Sequence, residues 1–309
     1  MVVTGQAHQG AVVEQIEDLD LANLVLELSP KDSTAAIILA AAILAKREPD
    51  VIIGSFAADH VIPDSDAFQA CVREAIEVAA TGKIVTIGIT PTAPSVAFGY
   101  IKTGDALEVA GAPHARSVEA FIEKPKMATA RKYVESGRYL WNAGMFIAPA
   151  SLLLEQLAKT EPELHSQLMA IADAWDGMYR ESVMHKVWPT LKKIAIDYSI
   201  AEPAAEAGLV AVIPGQFSWH DVGDFAAIAE LQSQGRRGNL AVLGNTKVLA
   251  DSSSGILVSD TDRLIALIGV EDIIVVDTPD ALLVTTKEHA QRVKSLVDAL
   301  KATGHEDLL

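Results

Sequence analysis

The sequence predicts an α/β fold: a mostly parallel sheet flanked by helices, then a small β-rich appendage and a terminal helix. Three observations predict it. Helical and strand-like stretches alternate with short connections through the first part of the chain, the pattern of a sheet wrapped by helices. Half of the 309 residues are apolar and only 5% are aromatic, so the core is aliphatic. After about residue 238 the texture changes to short β-prone pieces roughly 8–10 residues apart, with turn residues between them.

Taken in order, residues 34–47 are Ala-rich, lack Gly and Pro, and follow Asp32-Ser33, either of which can cap a helix. Residues 51–56 are a short apolar run and read as a buried strand that ends at A-A-D-H-V-I-P. Phe68, Cys71, Val72, Ala75, Ile76 and Ala79 recur at helical spacing over 66–80, with Gly82 as the stop. Residues 83–89 form a second buried strand, and 117–123 a third that runs into Lys124-Pro125. Residues 127–136 read as a helix closed by Gly137, and 139–148 as an apolar stretch interrupted by Asn142. Helices are expected near 150–159 and 162–176, strands at 193–197 and 209–213, and a helix from near Asp221 to before Gly235. The C-terminal β pieces are 241–243, 247–249, 255–258, 264–268, 273–276 and 281–284, for which a coiled β-helix stub is one candidate. An amphipathic helix over 287–302 closes the chain, and the expected domains are 1–237 and 238–309, divided at Gln234-Gly235-Arg236-Arg237-Gly238.

Net charge is −16, from 25 Lys+Arg against 41 Asp+Glu, a poor match for a nucleic-acid backbone or an anionic membrane. No nucleic-acid or membrane partner is therefore expected. A small anionic ligand would need local Lys or Arg, a helix N-terminus or a bridging cation. Cys71 is the single cysteine, so no disulfide forms within the chain, and a reducing, cytoplasmic setting is expected. The longest apolar run, 35–45, has 11 residues and is too short to span a bilayer. The N-terminus shows no export signal.

Four stretches could carry chemistry. Asp59 lies just past the end of a buried strand, where open α/β sheets bind ligands. It either caps a turn or holds a hard cation such as Mg²⁺. In F-I-E-K-P, residues 121–125, Glu123 and Lys124 would face opposite ways on a strand and serve two ligands or one curved one. A solvated charge pair is the plain alternative. Asn142, inside W-N-A-G-M-F, must bond either backbone or ligand hydroxyls, and Gly144 allows close backbone approach. Asp221, in F-S-W-H-D-V-G-D-F, is a helix cap, a second metal carboxylate, or both. The eight His show no metal-ligand spacing, which argues against zinc. The chain has no G-x-S-x-G elbow, Walker A loop or G-x-G-x-x-G.

The order of the motifs is more specific than any one of them. A-A-D-H-V-I, F-G-Y-I-K-T-G, F-I-E-K-P, Y-L-W-N-A-G-M-F, I-D-Y-S-I-A-E and F-S-W-H-D-V-G-D-F succeed one another along the chain. In that order they resemble the sugar-nucleotidyltransferases over nearly the whole length, and within them the mannose-1-phosphate guanylyltransferase branch. The resemblance implies a Rossmann-like sheet and the transfer of GMP from GTP to mannose 1-phosphate, giving GDP-mannose and pyrophosphate. It implies Mg²⁺ on Asp59 and Asp221, and Lys124 on the sugar phosphate. It places Glu123, Asn142 and the backbone of Gly99 on the mannose, with Asp197 lining the same side. Glu27, Asp32 and Ser33 match the nucleotide-binding positions, and a carboxylate such as Glu27 can accept both donors on one edge of guanine. Leu28 and Lys31-Asp32-Ser33-Thr34 stand where the family more often has Pro and an Arg-Asn-Thr triplet. The family's G-G-x-G-T-R-L loop is missing from the sequence, and Met1 to Gly5 match downstream of it. The chain thus reads as truncated relative to the family, with slow turnover expected. A non-catalytic binding module for the sugar phosphate, or a transferase for another hexose 1-phosphate, are the alternative readings. In this superfamily such an appendage and trailing helix often serve subunit contacts, so a homo-oligomer is among the expectations.

Overall fold

The computed structural model describes residues 1–233 and 240–304. The chain divides into two compact units, Met1–Ala57 with Asp64–Phe217, and Ala58–Pro63 with Ser218–Leu309. The domain boundary expected at 234–238 lies outside the described residues.

The first unit is built on a six-stranded sheet in the order Ile52–Ser55, Tyr139–Pro149, Ile84–Ile89, Val210–Gly215, Arg116–Ile122, Tyr100–Ala106. Ile84–Ile89 is buried along its whole length, as befits a central strand, with Thr86 its one polar side chain. The sheet corrects one expectation. Four of its strands run in one direction, but the reversed strands 116–122 and 139–149 are interleaved among them. Among the described residues only Ile84–Ile89 with Val210–Gly215 is therefore a parallel neighbour pair in this sheet. The chain achieves this with the long strand Tyr139–Pro149, which also bonds Tyr100–Ala106. A separate parallel pair joins Val2–Gly5 to Leu24–Glu27.

Ser33–Arg47, Ala150–Thr160 and Pro162–Ala174 pack on one another over an aliphatic core that includes Ile38, Leu39, Ile43, Leu153 and Leu168. Each such side chain contributes about 1.5–3 kcal/mol by leaving water. Ser65–Ala79 packs on Ile84–Ile89 and Val210–Gly215, burying the Cys71, Ala75, Val78 and Ala79 stripe. The strand expected at 193–197 does not form. Its backbone is taken up instead by the N-terminus of Ser33–Arg47: Ile194 N–H donates to Lys31 O and Ile194 O accepts from Thr34 N–H, both at 3.3 Å. A π-helical turn, Asp197–Ala201, follows.

In the second unit, strands alternate between two ladders. Leu240–Gly244, Gly255–Ser259 and Ile273–Asp277 form one parallel ladder, and Lys247–Asp251 and Leu264–Ile268 the other. This is the coiled β arrangement that the regular turn spacing pointed to. Leu282–Thr286 closes the first ladder antiparallel. Gly255 stands at φ +132°, and a Cβ there would collide with the Ile273 carbonyl, so only glycine fits this stacking. Ile256 and Ile274 pack on Ala229 and Ala290. Helix Phe225–Ser233 starts later than expected and is capped by Asp224, whose carboxylate accepts from Ala227 N–H at 2.9 Å. Asp221 is therefore not the helix cap. The last segment is a 3₁₀ turn, Lys287–Arg292, followed by helix Val293–Thr303.

Candidate active site

Sequence-predicted residues of the first unit gather around Asn142. Tyr139–Pro149 bulges against Ile84–Ile89 between the pairs Thr86–Phe146 and Gly88–Asn142, with Gly144 at φ +67°. Such a bulge re-aims side chains. Here it lets Asn142 Oδ1 accept from Thr86 Oγ1 at 3.0 Å and from Gly144 N–H at 3.1 Å. The Asn142 Nδ2 donates to Asp197 Oδ1 at 3.0 Å, and its backbone N–H to Gly99 O at 2.9 Å. A Cβ on Gly99 would lie 2.5 Å from Glu123 Oε2 and 3.4 Å from Asn142 Cβ, so Gly99 leaves the room in which these two side chains meet.

Glu123 and Lys124 do not face opposite ways as a strand would require. The strand ends at Ile122, and Lys124 takes φ +41° just before Pro125. Its ammonium turns back to Glu123 Oε1 at 3.2 Å, keeping the carboxylate side chain 9% exposed and the lysine 61%. A non-glycine residue held at positive φ costs about 1–3 kcal/mol and persists where surrounding structure imposes it. Burial and the neighbouring Glu123 charge push the Asp197 carboxyl up to about 6. The resulting cradle holds two carboxylates, one amide and one outward-facing ammonium.

The residues expected on the nucleotide side lie at or near the start of Ser33–Arg47. Glu27 ends the strand Leu24–Glu27, and its buried Oε1 has no protein partner among the described residues. Burial, then the charge of Asp32, raises its pKa. Asp32 caps the helix from φ +70°, accepting from Ser33 N–H at 2.9 Å. Ser33 Oγ accepts from Ile196 N–H at 2.9 Å, and Thr34 Oγ1 bonds Ser199 Oγ at 2.8 Å. Lys31 is held by the carbonyls of Pro189 and Leu191 at 2.8 and 2.9 Å. The helix start and the Asp197 turn are thereby fastened together.

In the second unit, the short strands His60–Val61 and His220–Asp221 pair antiparallel, with Asp221 directly opposite His60. Opposite residues share a face of a pair. One donor atom each from Asp59, His60 and Asp221 lies within 4.8 Å of the others, and Val222 N–H donates to Asp59 O at 2.8 Å. The His60 ring meets Trp219 edge-on at 5.3 Å, and burial lowers its pKa against the pull of Asp59 and Asp221. Two carboxylates and a neutral imidazole at this spacing fit a divalent cation. His60 was missed in the sequence because its partner Asp221 lies far along the chain. Thr86, Thr34 and Ser199 were missed because a buried hydroxyl in an apolar run carries no pattern of its own.

A polar cradle at the ends of α/β sheet strands stands where such folds bind ligands. Residues 1–237 match the family model described as nucleotidyl transferase, and the chain belongs to that family. Residues 245–300 match the MannoseP isomerase/GMP-like β-helix domain. The xanthan biosynthesis protein XanB of Xanthomonas campestris pv. campestris (strain B100) is 37% identical over 99% of this chain and 64% of its own length. A mannose-1-phosphate guanylyltransferase of Escherichia coli (strain K12) is 34% identical with the same coverage, 99% of this chain and 64% of that protein. The chain thus spans less than two thirds of these relatives. A crystal structure described as mannose-1-phosphate geranyltransferase from Thermus thermophilus has a TM-score of 0.79 at 28% identity, covering 97% of this chain and 84% of that one. No helix among the described residues is long and apolar enough to cross a membrane.

Proposed function

We propose that the chain binds a hexose 1-phosphate, mannose 1-phosphate in the first instance, and a guanine nucleotide, as part of guanylyl transfer. The observation that carries this reading is the Asn142 cradle. Half-buried Glu123 and Asp197 suit sugar hydroxyls, and the exposed Lys124 ammonium beside them suits a phosphate. Glu27, with a buried carboxylate oxygen lacking a protein partner, suits the paired N–H donors of guanine, near Asp32 and Ser33.

In the reaction, a phosphate oxygen of the sugar ester attacks the α-phosphorus of GTP. The bond to the β-phosphate oxygen breaks, and pyrophosphate carries the electron pair away. No covalent enzyme intermediate is required, so the protein contributes position and charge. Lys124 holds the attacking phosphate, and Glu123, Asn142 and Asp197 fix the ring. Asp59 and Asp221, with His60, would hold the divalent cation, Mg²⁺ in this reading, which when bound neutralises phosphate oxygens. The cation also answers how a chain of net charge −16 accepts polyanions. The Cys71 thiol is pushed up to about 12 by burial and Glu74, and so stays an inert thiol in a cytoplasmic setting.

The test is titration calorimetry of the 309-residue chain with mannose 1-phosphate and GDP-mannose, beside a pyrophosphate-release assay with GTP, ATP and UTP. Both sugar ligands are expected to bind, and pyrophosphate release is expected to be faster with GTP than with ATP or UTP. Failure of both ligands to bind overturns the reading.

Gly99→Ala supplies a further check. Its Cβ displaces Glu123 rather than backbone, so stability is expected to hold while mannose 1-phosphate binds about tenfold more weakly, the loss of roughly one hydrogen bond to a charged group. An unchanged dissociation constant would remove Glu123 from the sugar side.

A further inference from the structure

Asn142 has four hydrogen-bonding capacities: two N–H donors and two lone pairs on its carbonyl oxygen. Three are already engaged inside the first unit. Thr86 Oγ1 and Gly144 N–H both reach Oδ1, at 3.0 and 3.1 Å, and Nδ2 reaches Asp197 Oδ1 at 3.0 Å. The orientation of the amide follows from its partners. A backbone N–H can only donate and an ionised carboxylate can only accept, so the oxygen lies toward Gly144 and the nitrogen toward Asp197. The Thr86 hydroxyl must then be a donor. Thr86 is fully buried and Asn142 only 8% exposed, so water does not supply a substitute for either bond.

We infer that Asn142 meets its ligand as a single N–H donor with no acceptor to offer, and that Thr86, by taking the second lone pair of the amide oxygen, is the positioning residue that holds the donor in place. The inference rests on the reading of the cradle as a sugar-phosphate pocket. Its consequence is a rule of selection. The ligand group at Asn142 must accept a hydrogen bond. Of the other cradle side chains, Lys124 is turned onto Glu123, and the carboxylates Glu123 and Asp197 when ionised can only accept. A hydroxyl that accepts from Asn142 and donates to a carboxylate fits, whereas an amino group or a hydrogen at that ring carbon does not. Without the Thr86 hydroxyl, one lone pair of a buried carbonyl is left open. The amide keeps the orientation set by Gly144 and Asp197 but loses one of the two bonds that fix its oxygen, and so aims its free N–H less well at the sugar.

The test uses the full chain, with Thr86→Val, Thr86→Ser and Asn142→Ala, and titration calorimetry with mannose 1-phosphate. Thr86→Val keeps shape and loses the hydroxyl. It is expected to weaken binding about tenfold, and Thr86→Ser to return it to within about twofold of the parent. Parent-like binding by a folded Thr86→Val overturns the positioning role, provided Asn142→Ala binds weakly. Parent-like binding by Asn142→Ala overturns the pocket reading itself. Should Thr86→Val not fold, the side-chain amide signals of Asn142 in the ¹⁵N-labelled parent decide. Mannose 1-phosphate is expected to shift one of the two N–H signals much more than the other, and equal shifts would overturn the single-donor assignment.

Discussion

Asp221→Asn is expected to weaken Mn²⁺ binding to the chain by about a hundredfold, read by the loss of the free-ion resonance in an electron-spin titration. Removing an orienting partner of a ligand already costs about 10–100-fold, and a charged ligand lost outright belongs at or above the top of that range. The asparagine keeps the size of the side chain and one acceptor oxygen, and removes the charge that a hard cation requires. The strand pair His60–Val61 with His220–Asp221 is held by backbone bonds, which the substitution leaves in place, so the melting temperature should not fall. Asp59→Asn is expected to act in the same direction. The two effects are not expected to add if, as proposed, both acids serve one ion. Mn²⁺ affinity equal to that of the parent in both variants would leave Asp59, His60 and Asp221 as a polar turn without a metal role.

That cluster also shows what could be read from the sequence and what could not. Periodicity located the helices Ser33–Arg47, Ser65–Ala79 and Met127–Ser136 almost to the residue, because one face of each is apolar and a capping residue or glycine stands at an end. The turn spacing beyond residue 238 located the C-terminal strands for the same reason. Directions within the sheet were not legible. Whether 139–149 runs with or against 84–89 depends on a chain path that local pattern does not encode. Residues 193–197 have the β-branched texture of a strand, yet Lys31 and Thr34 compete for their backbone groups and win, because the N-terminus of a helix offers unsatisfied N–H groups at a fixed place. Asp221 and Asp224 both look like caps in D-V-G-D-F, and only the helix start at Phe225 separates their roles. The candidate site residues came from an ordered set of motifs, through resemblance, while the hydrogen bonds around them come from Thr86, Ser33 and Ser199, whose contacts cross 56 to 165 positions of sequence.

Asp197→Asn is expected to stabilise the chain at pH 8 and to cost it its sugar ligand. The Asp197 carboxyl stands at about 6 in the folded chain against an ordinary 3.8, first because it is buried and then because Glu123 lies near. The folded state therefore holds this proton more tightly than the unfolded state. The stability linked to it is complete below pH 3.8, declines as pH rises, and is gone above about 6. At pH 8 the ionised acid costs up to about 3 kcal/mol, from about 1.4 kcal/mol for each unit of displacement. An asparagine accepts the same bond from Asn142 Nδ2 without the charge. Urea denaturation should then give the variant a higher midpoint at pH 8, a gain about half as large at pH 5, and the same slope with denaturant. Mannose 1-phosphate should bind about tenfold more weakly, because an amide accepts from a hydroxyl less strongly than a carboxylate does. Equal midpoints at both pH values would mean that the acid is not held in a low-dielectric setting. A gain in stability joined to a loss of ligand would mean that the chain keeps a destabilising charge beside Glu123 for the sake of what binds there.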